Sequence, residues 1–382
     1  MRILFLIDRI PADNQGADAY TTRIAGIREA LERQGVETDV LSLRTLRFHR
    51  PHALFALNAA AIGRIGQGYD IIHAAGAGAT VAACVAQGAH RRPVIFDMQG
   101  DEPLETAMEW QSDHSMRRAF LLLQASALTP LAARRADLTL VVSEAFRARA
   151  VRRGAAPDRV VVVPNGVDLN LFRAEPPAGK RLCFAYAGSF QAWQSIDILI
   201  DAFEYLESDC AHLHLIGFAP DNPADVALKN ALARRLGSRV TLEDRVPPDQ
   251  LPGHLTSAHV LVIPRTAHPA MQGGLPSKFA EYLALGRPVI VTDVDDCATY
   301  VREHQCGLIC APTAAGFNQA LHEALDWDAN QRIQMGQRAR SLAESTFNWE
   351  VIAAQYLQVL ERLCGQPRAS VSASSHKLPE VR

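Results

Sequence analysis

Two doubly wound, parallel α/β domains are the fold class this sequence predicts, and three observations predict it. Short apolar runs rich in β-branched residues alternate with longer helical patterns along most of the chain. Near the middle, Glu175-Pro176-Pro177-Ala178-Gly179 interrupts that alternation, because this stretch can continue neither helix nor sheet. A length of 382 residues also exceeds one compact core and suits two of roughly 150–200 residues.

In the first half the apolar runs cover residues 2–7, 36–41, 69–73, 93–97, 137–143 and 159–164. In the second they cover 181–187, 212–217, 239–243, 259–264, 287–292 and 307–310. Continuous apolar character, without alternation, marks strands covered on both faces. Each half therefore reads as its own Rossmann-like unit, 1–168 and 169–346, sharing a plan but no visible repeat. Asn348-Trp349-Glu350 opens a periodic helix within 347–364, and the Ser- and Ala-rich 365–382 reads as a disordered tail. Two such units suggest a cleft between them, with ligands bound outside the carboxyl ends of the strands.

Composition narrows the function classes. The chain has 39 Lys plus Arg against 41 Asp plus Glu, a balance that argues against a dedicated nucleic-acid binder. Hydrophobic content of 48% with 21% charged residues is a globular composition. No run reaches the roughly 18 apolar residues of a spanning helix. The apolar run 3–7 meets Asp8 and Arg9 at once, so a strand explains it better than a signal peptide. Seven dispersed cysteines without CxxC spacing fit reduced thiols in a cytoplasm and no zinc site.

The stretch from Gly273 to Ile290 carries the most chemistry. Gly273 and Gly274 let a backbone approach a ligand, and Pro276-Ser277 can open a helix. The free amides of a helix start form an anion site, to which Lys278 adds a full positive charge. Glu281 lies one turn further on the same face, about 6 Å away, where a carboxylate can accept two ribose hydroxyls. A nucleotide fits this pair of sites; an amphipathic helix with a solvated Lys and Glu is the alternative.

The same stretch resembles the corresponding segment of GT-B-fold glycosyltransferases, family 4 in particular. Val163-Pro164-Asn165-Gly166-Val167-Asp168 is similar to the family's interdomain turn, and Gly188-Ser189-Phe190 with Trp193 to the start of its nucleotide domain. Leu213-His214-Leu215-Ile216-Gly217, Val240-Thr241-Leu242-Glu243 and Phe347-Asn348-Trp349-Glu350 follow in the family's order. The resemblance covers about residues 1–364 and is strongest over 137–310. It implies a GT-B fold whose C-terminal helix crosses back to the first domain. It also implies transfer of a sugar from a nucleotide-sugar to a glycan or lipid-linked acceptor, with retention of configuration and without a metal ion. The donor is a substrate, so no cofactor is expected. By carry-over Glu281 holds the ribose, and Lys278 with Ser277 and Pro276 the diphosphate. Gly274 and Leu275 offer amides nearby, Gly188, Ser189 and Gly217 face the donor at strand ends, and Arg245 and Val246 face the base. Gly16 and Ala17 occupy the place of a glycine loop near the donor phosphates.

Three departures stand out. Gly273 replaces the first of the family's paired glutamates. The usual Arg and Lys after the first C-terminal strand are absent, Ser189, Phe190 and Gln194 standing there, so phosphate charge falls to Lys278, the helix start and Arg265. Gln99 occupies the position of the first domain's histidine; it can hydrogen-bond sugar hydroxyls but cannot carry a proton. Asp101, Glu102 and Glu105 follow that loop, where a carboxylate can orient or deprotonate an acceptor hydroxyl or simply be a solvated acid near a helix start. Lys278, Gln99 and Asp101 are the candidate catalytic residues.

Gly76-Ala77-Gly78 lacks the third glycine of a dinucleotide fingerprint. Asp293-Val294-Asp295-Asp296 imitates a metal-binding acidic motif but stands where the family has an ordinary loop. Arg44, Arg47, His49, Arg50 and His52 lead into the apolar stretch 53–65, which fits either peripheral docking on an anionic inner membrane face or a buried helix. Two other functional readings fit the fold: a catalytically weakened accessory subunit that binds nucleotide-sugar, and a nucleotide-sugar epimerase.

Overall fold

A computed structural model of the chain describes residues 1–7, 19–43, 68–86, 92–112, 114–179, 181–206, 208 and 210–365. Every apolar run predicted from the sequence forms a strand, and the strands assort into two parallel sheets. The chain divides into two units. One takes in the first strand, Tyr20–Pro164 and the chain from Trp349; the other takes in Asn165–Asn348.

The first sheet contains β1 (Arg2–Ile7), β2 (Glu37–Ser42), β3 (Ile71–Ala75), β4 (Val94–Met98), β5 (Leu138–Val141) and β6 (Val160–Val162), in the order β2-β1-β3-β4-β5-β6. Its central strands are buried along their whole length, as strands covered on both faces must be. One face packs Phe5, Ile7, Ile27, Leu31 and Ile95 with Trp349, Ile352, Ala353, Tyr356 and Leu360. The last five lie on helix Trp349–Gly365, whose spacing of three and four residues aligns them on one stripe. Gly26 makes room for it: a Cβ there would fall 2.3 Å from the Trp349 indole. The C-terminal helix thus completes the core of the first unit.

The second sheet contains β7 (Leu182–Ala187), β8 (Ala211–Phe218), β9 (Val240–Asp244), β10 (Val260–Ile263), β11 (Val289–Thr292) and β12 (Gly307–Cys310), ordered β12-β11-β10-β7-β8-β9. Its core gathers Phe184, Tyr186, Leu199, Phe203, Leu213, Leu215, Val262 and Ile290 with Phe317 and Leu321. Strand order reverses between β7 and β10, because the chain runs from β7 through β8 to β9 on one side and then returns to β10 on the other side of β7. The loops leaving these two strands diverge and leave a crevice at their carboxyl ends, which is where such sheets take ligands.

Gly16, Ala17, the basic lead-in at 44–52, the apolar stretch 53–65 and residues 366–382 lie outside the described residues. Among the described residues no helix is long and apolar enough to cross a membrane.

Candidate functional site

At the reversal point of the second sheet, β7 ends at Ala187 and Gly188 follows in the left-handed region, φ +150°. A Cβ on Gly188 would lie 2.5 Å from Lys278 Nζ and 2.9 Å from the Tyr186 hydroxyl, so only glycine leaves the lysine its place. Gly217, φ +127°, sits beside it at the end of β8, and there a Cβ would come within 2.2 Å of the Gly188 carbonyl oxygen. The obstruction is backbone, which cannot rotate aside. Gly217→Ala is therefore expected to destabilise the fold by about 2–4 kcal/mol. Thermal unfolding reads this directly, and an unchanged melting temperature would show that the two strand ends can part freely.

Lys278 enters from helix Ser277–Ala284. The helix has Pro276 at its N-cap with no side-chain cap, so its first amides are available to an anion. The loop before it is pinned: Asn165 Nδ2 donates to the Leu275 carbonyl at 2.7 Å, and Gly273 turns with φ +75°. Lys278 is almost fully buried. Its Nζ lies 4.1 Å from the centroid of the Tyr186 ring and donates to the Tyr186 hydroxyl (2.8 Å) and to Gln194 Oε1 (3.2 Å). Tyr186 in turn donates to the Ser189 carbonyl at 2.8 Å. Tyr282 fixes the same strand end, accepting from the Ala187 amide (2.7 Å) and donating to the Ala187 carbonyl (3.2 Å).

The electrostatics follow from burial. Desolvation, seconded by Arg265, pushes Lys278 down to about 7, although Glu281 pulls the other way. Desolvation pushes Glu281 up to about 7 against the pull of Lys278. Both groups are poised to change charge when a ligand's charge arrives.

Arg265 follows β10 on the other side of the reversal point. Its Nη1 pairs with Asp295 Oδ2 at 3.1 Å, and a Cβ on Gly274 would come within 3.0 Å of the same nitrogen. Asp295 also caps helix Asp296–His304, accepting from the Cys297 amide at 3.1 Å. The acidic run that imitates a metal motif is thus a helix start with an arginine partner. Arg245 and Val246 follow β9, the Arg245 amide donating to the Phe218 carbonyl at 2.8 Å. They sit one strand further out than Gly217.

In the second unit, then, the expected residues Gly188, Ser189, Gly217, Arg265, Gly274, Leu275, Pro276, Ser277, Lys278 and Glu281 come together at one end of the sheet. Sequence reasoning missed Tyr186 as the seat of Lys278. A tyrosine in an otherwise apolar strand, two residues from Gly188 and hence on the same face, was the available signal.

The first unit gives a different result. Gln99 follows β4, its Nε2 donating to Asp97 Oδ2 at 3.1 Å. Asp97 is fully buried and receives Arg23, whose Nε lies 3.2 and 3.1 Å from the two carboxylate oxygens and whose Nη2 lies 3.1 Å from Oδ1. Asp101 does not meet its expected role. It is 1% exposed and held by Arg153 at 2.7 Å and Arg149 at 3.8 Å, while its backbone carbonyl accepts the Glu105 amide. Two guanidiniums occupy the carboxylate, which therefore anchors the start of helix Glu102–Ser112 and the end of helix Glu144–Arg153. Glu102 accepts from the Ala77 amide at 2.8 Å.

The chain matches two family models, Glycosyl transferases group 1 over residues 181–326 and Glycosyl transferase 4-like domain over residues 10–166. It is 28% identical over 232 residues to D-inositol 3-phosphate glycosyltransferase of Xylanimonas cellulosilytica, covering 54% of this chain and 52% of the relative. It is 25% identical over 238 residues to the GDP-mannose-dependent alpha-(1-6)-phosphatidylinositol monomannoside mannosyltransferase of Mycobacterium tuberculosis, covering 59% and 61%. The chain spans little more than half the length of these curated relatives. Among solved structures, sucrose-phosphate synthase from Thermosynechococcus elongatus matches with a TM-score of 0.75 at 21% identity, over 95% of this chain and 99% of that one. HepE of Anabaena, solved with UDP-glucose, matches with a TM-score of 0.70 at 21% identity, over 95% and 100%. At these identities the likeness is one of fold.

Proposed function

Because the chain belongs to the group 1 glycosyltransferases and has their GT-B fold, we propose that it transfers a sugar from a nucleotide-sugar to a polysaccharide, glycolipid or related acceptor on the cytoplasmic side of a bacterial membrane. One observation carries this reading. The Lys278 ammonium and the uncapped start of helix Ser277–Ala284 converge beside Gly188 at the reversal point of the sheet, with Glu281 one turn away.

In this reading the donor diphosphate lies against Lys278, the helix amides and Arg265, and its ribose hydroxyls donate to Glu281. When the glycosidic C1–O bond breaks, its electron pair leaves with the diphosphate oxygen. Lys278 and the amides are already aimed at that developing charge, which makes a metal ion unnecessary. The acceptor hydroxyl attacks from the leaving-group side and passes its proton to the departing phosphate oxygen, so configuration is retained without a protein nucleophile. Gln99 contributes only hydrogen bonds, because an amide carries no transferable proton. The names of the curated relatives do not favour the accessory-subunit or epimerase readings.

A panel of UDP-sugars and GDP-mannose tests the proposal with purified protein, read by thermal shift and by release of nucleoside diphosphate. One donor is expected to raise the melting temperature and to release its nucleotide on adding acceptor. Isomerised donor without released nucleotide would indicate an epimerase. Binding without turnover across the panel would indicate an accessory subunit. For the ribose placement, Glu281→Ala is expected to weaken the affinity for the donor's nucleoside diphosphate by about 10²–10⁴-fold in calorimetry, the loss of two hydrogen bonds to a charged acceptor. Unchanged affinity would remove Glu281 from the site.

A further inference from the structure

Helix Met116–Arg135 of the first unit is apolar on its solvent face as well as on its packed one. Its most buried residues are Ala125, Thr129, Ala132 and Ala133, flanked on the same side by the half-buried Leu121, Leu122 and Leu128. Its solvent face carries large apolar side chains too: Met116 is 85% exposed, Phe120 54%, Leu123 69% and Leu131 38%. With Ala127 and Arg134 these residues recur every three or four positions, so they form one stripe along the helix. Isolated exposed apolar residues are normal; a continuous stripe of Met, Phe and Leu on the solvent face is not.

The charges on the helix itself have one sign. The helix contains Arg117, Arg118, Arg134 and Arg135 and no acidic residue. Arg134 ends the stripe itself, and Arg117 and Arg135, both exposed, lie on one flank of it. Arg134 and Arg135 suit the negative end of the helix dipole. Arg117 sits in the first turn, where a cation opposes the dipole, so helix stability does not account for it.

We propose that this face docks on an anionic lipid surface, with the stripe at the acyl boundary and the arginines at the head groups. A second copy of the chain fits less well, because antiparallel self-pairing would set Arg117 of one copy against Arg134 and Arg135 of the other. The surface belongs to the first unit, and the proposal does not depend on which donor is used.

Co-sedimentation of the full chain with phosphatidylcholine vesicles, with and without phosphatidylglycerol, tests this. Binding is expected only with phosphatidylglycerol and is expected to weaken with salt. Each basic residue at an anionic surface is worth about fivefold in partitioning, so Arg117→Gln with Arg135→Gln should lower binding about 25-fold. Phe120→Ser with Leu123→Ser should bring it to background with the melting temperature unchanged, since both side chains are exposed in the folded chain. Equal binding to neutral vesicles, or parent-like binding by both double variants, overturns the proposal. So does a dimer in sedimentation velocity that Phe120→Ser with Leu123→Ser abolishes, which would assign the stripe to a second copy.

Discussion

Lys278→Met is expected to lower turnover by about 10²–10³-fold, the usual loss when one preorganised donor to a developing negative charge is removed. Its melting temperature should stay at or above that of the parent. Lys278 is nearly fully buried, and desolvation has pushed it from 10.5 down to about 7, so the native state holds that proton less readily than the unfolded chain. Between about 7 and 10.5 the unfolded state binds more protons, and parent stability rises with pH across that window. Below it the buried charge is a standing cost. An apolar side chain of similar volume removes that cost, so the variant's advantage should be largest near pH 6 and shrink toward pH 9. The Tyr186 hydroxyl keeps its bond to the Ser189 carbonyl in the variant, which limits the damage to the strand end.

Affinity supplies an independent reading of the same residue. A bound diphosphate draws the Lys278 proton on, so affinity should fall as pH rises above about 7, by up to tenfold per unit. In Lys278→Met that slope should flatten. Equal losses of turnover and stability, with the pH slope intact, would make Lys278 a structural residue.

Asp97→Ala is expected to destabilise the first unit by about 3–5 kcal/mol, or roughly 10 °C in melting temperature. Arg23 is 1% exposed and spends three of its contacts on the Asp97 carboxylate, with Nη1 on the Pro164 carbonyl at 3.0 Å. Removing the carboxylate strands a buried guanidinium. His73 Nε2 lies 3.4 Å from the same carboxylate, and His73 Nδ1 is hydrogen-bonded to the Tyr356 hydroxyl at 2.9 Å, so the C-terminal helix loses part of its anchorage too. Burial alone would raise the Asp97 carboxyl, but Arg23 and His73 outweigh it and hold it well below the usual carboxylate range. A depressed native value means that the stabilisation is complete above the ordinary carboxylate value near 4 and disappears only as pH falls below it. Replacing both partners, Arg23→Met with Asp97→Leu, should recover much of the lost stability, since no unpaired charge then remains. A parent-like melting temperature for Asp97→Ala would show that Arg23 finds other partners.

The strands were legible because a parallel strand covered on both faces must be apolar throughout, and no helix-period pattern competes over five residues. The end of β3 was not. The apolar run 69–73 ends at His73, whereas the strand continues through Ala74 and Ala75 and buries His73 completely. Alanine has little strand preference of its own; pairing with β1 and β4 on either side overrides it. Glu281 and Lys278 were legible for a local reason, since one helical turn places them on one face whatever surrounds the helix. Asp101 was not, because its partners Arg149 and Arg153 lie about fifty residues away and reach it only through the packing of another helix.

The order and class of the elements, the short-range arrangement Gly274 to Glu281 and the family resemblance are all readable along the chain. Each of these rests on neighbours within a turn or a strand. Packing in three dimensions is what seats the lysine on Tyr186 and Gln194, closes Gly188 and Gly217 to any side chain, and gives Asp101 and Asp97 their arginines. Those outcomes depend on burial and on contacts between distant strands and helices, and a side chain's charge, reach and protonation are set by what encloses it rather than by what precedes it in the chain.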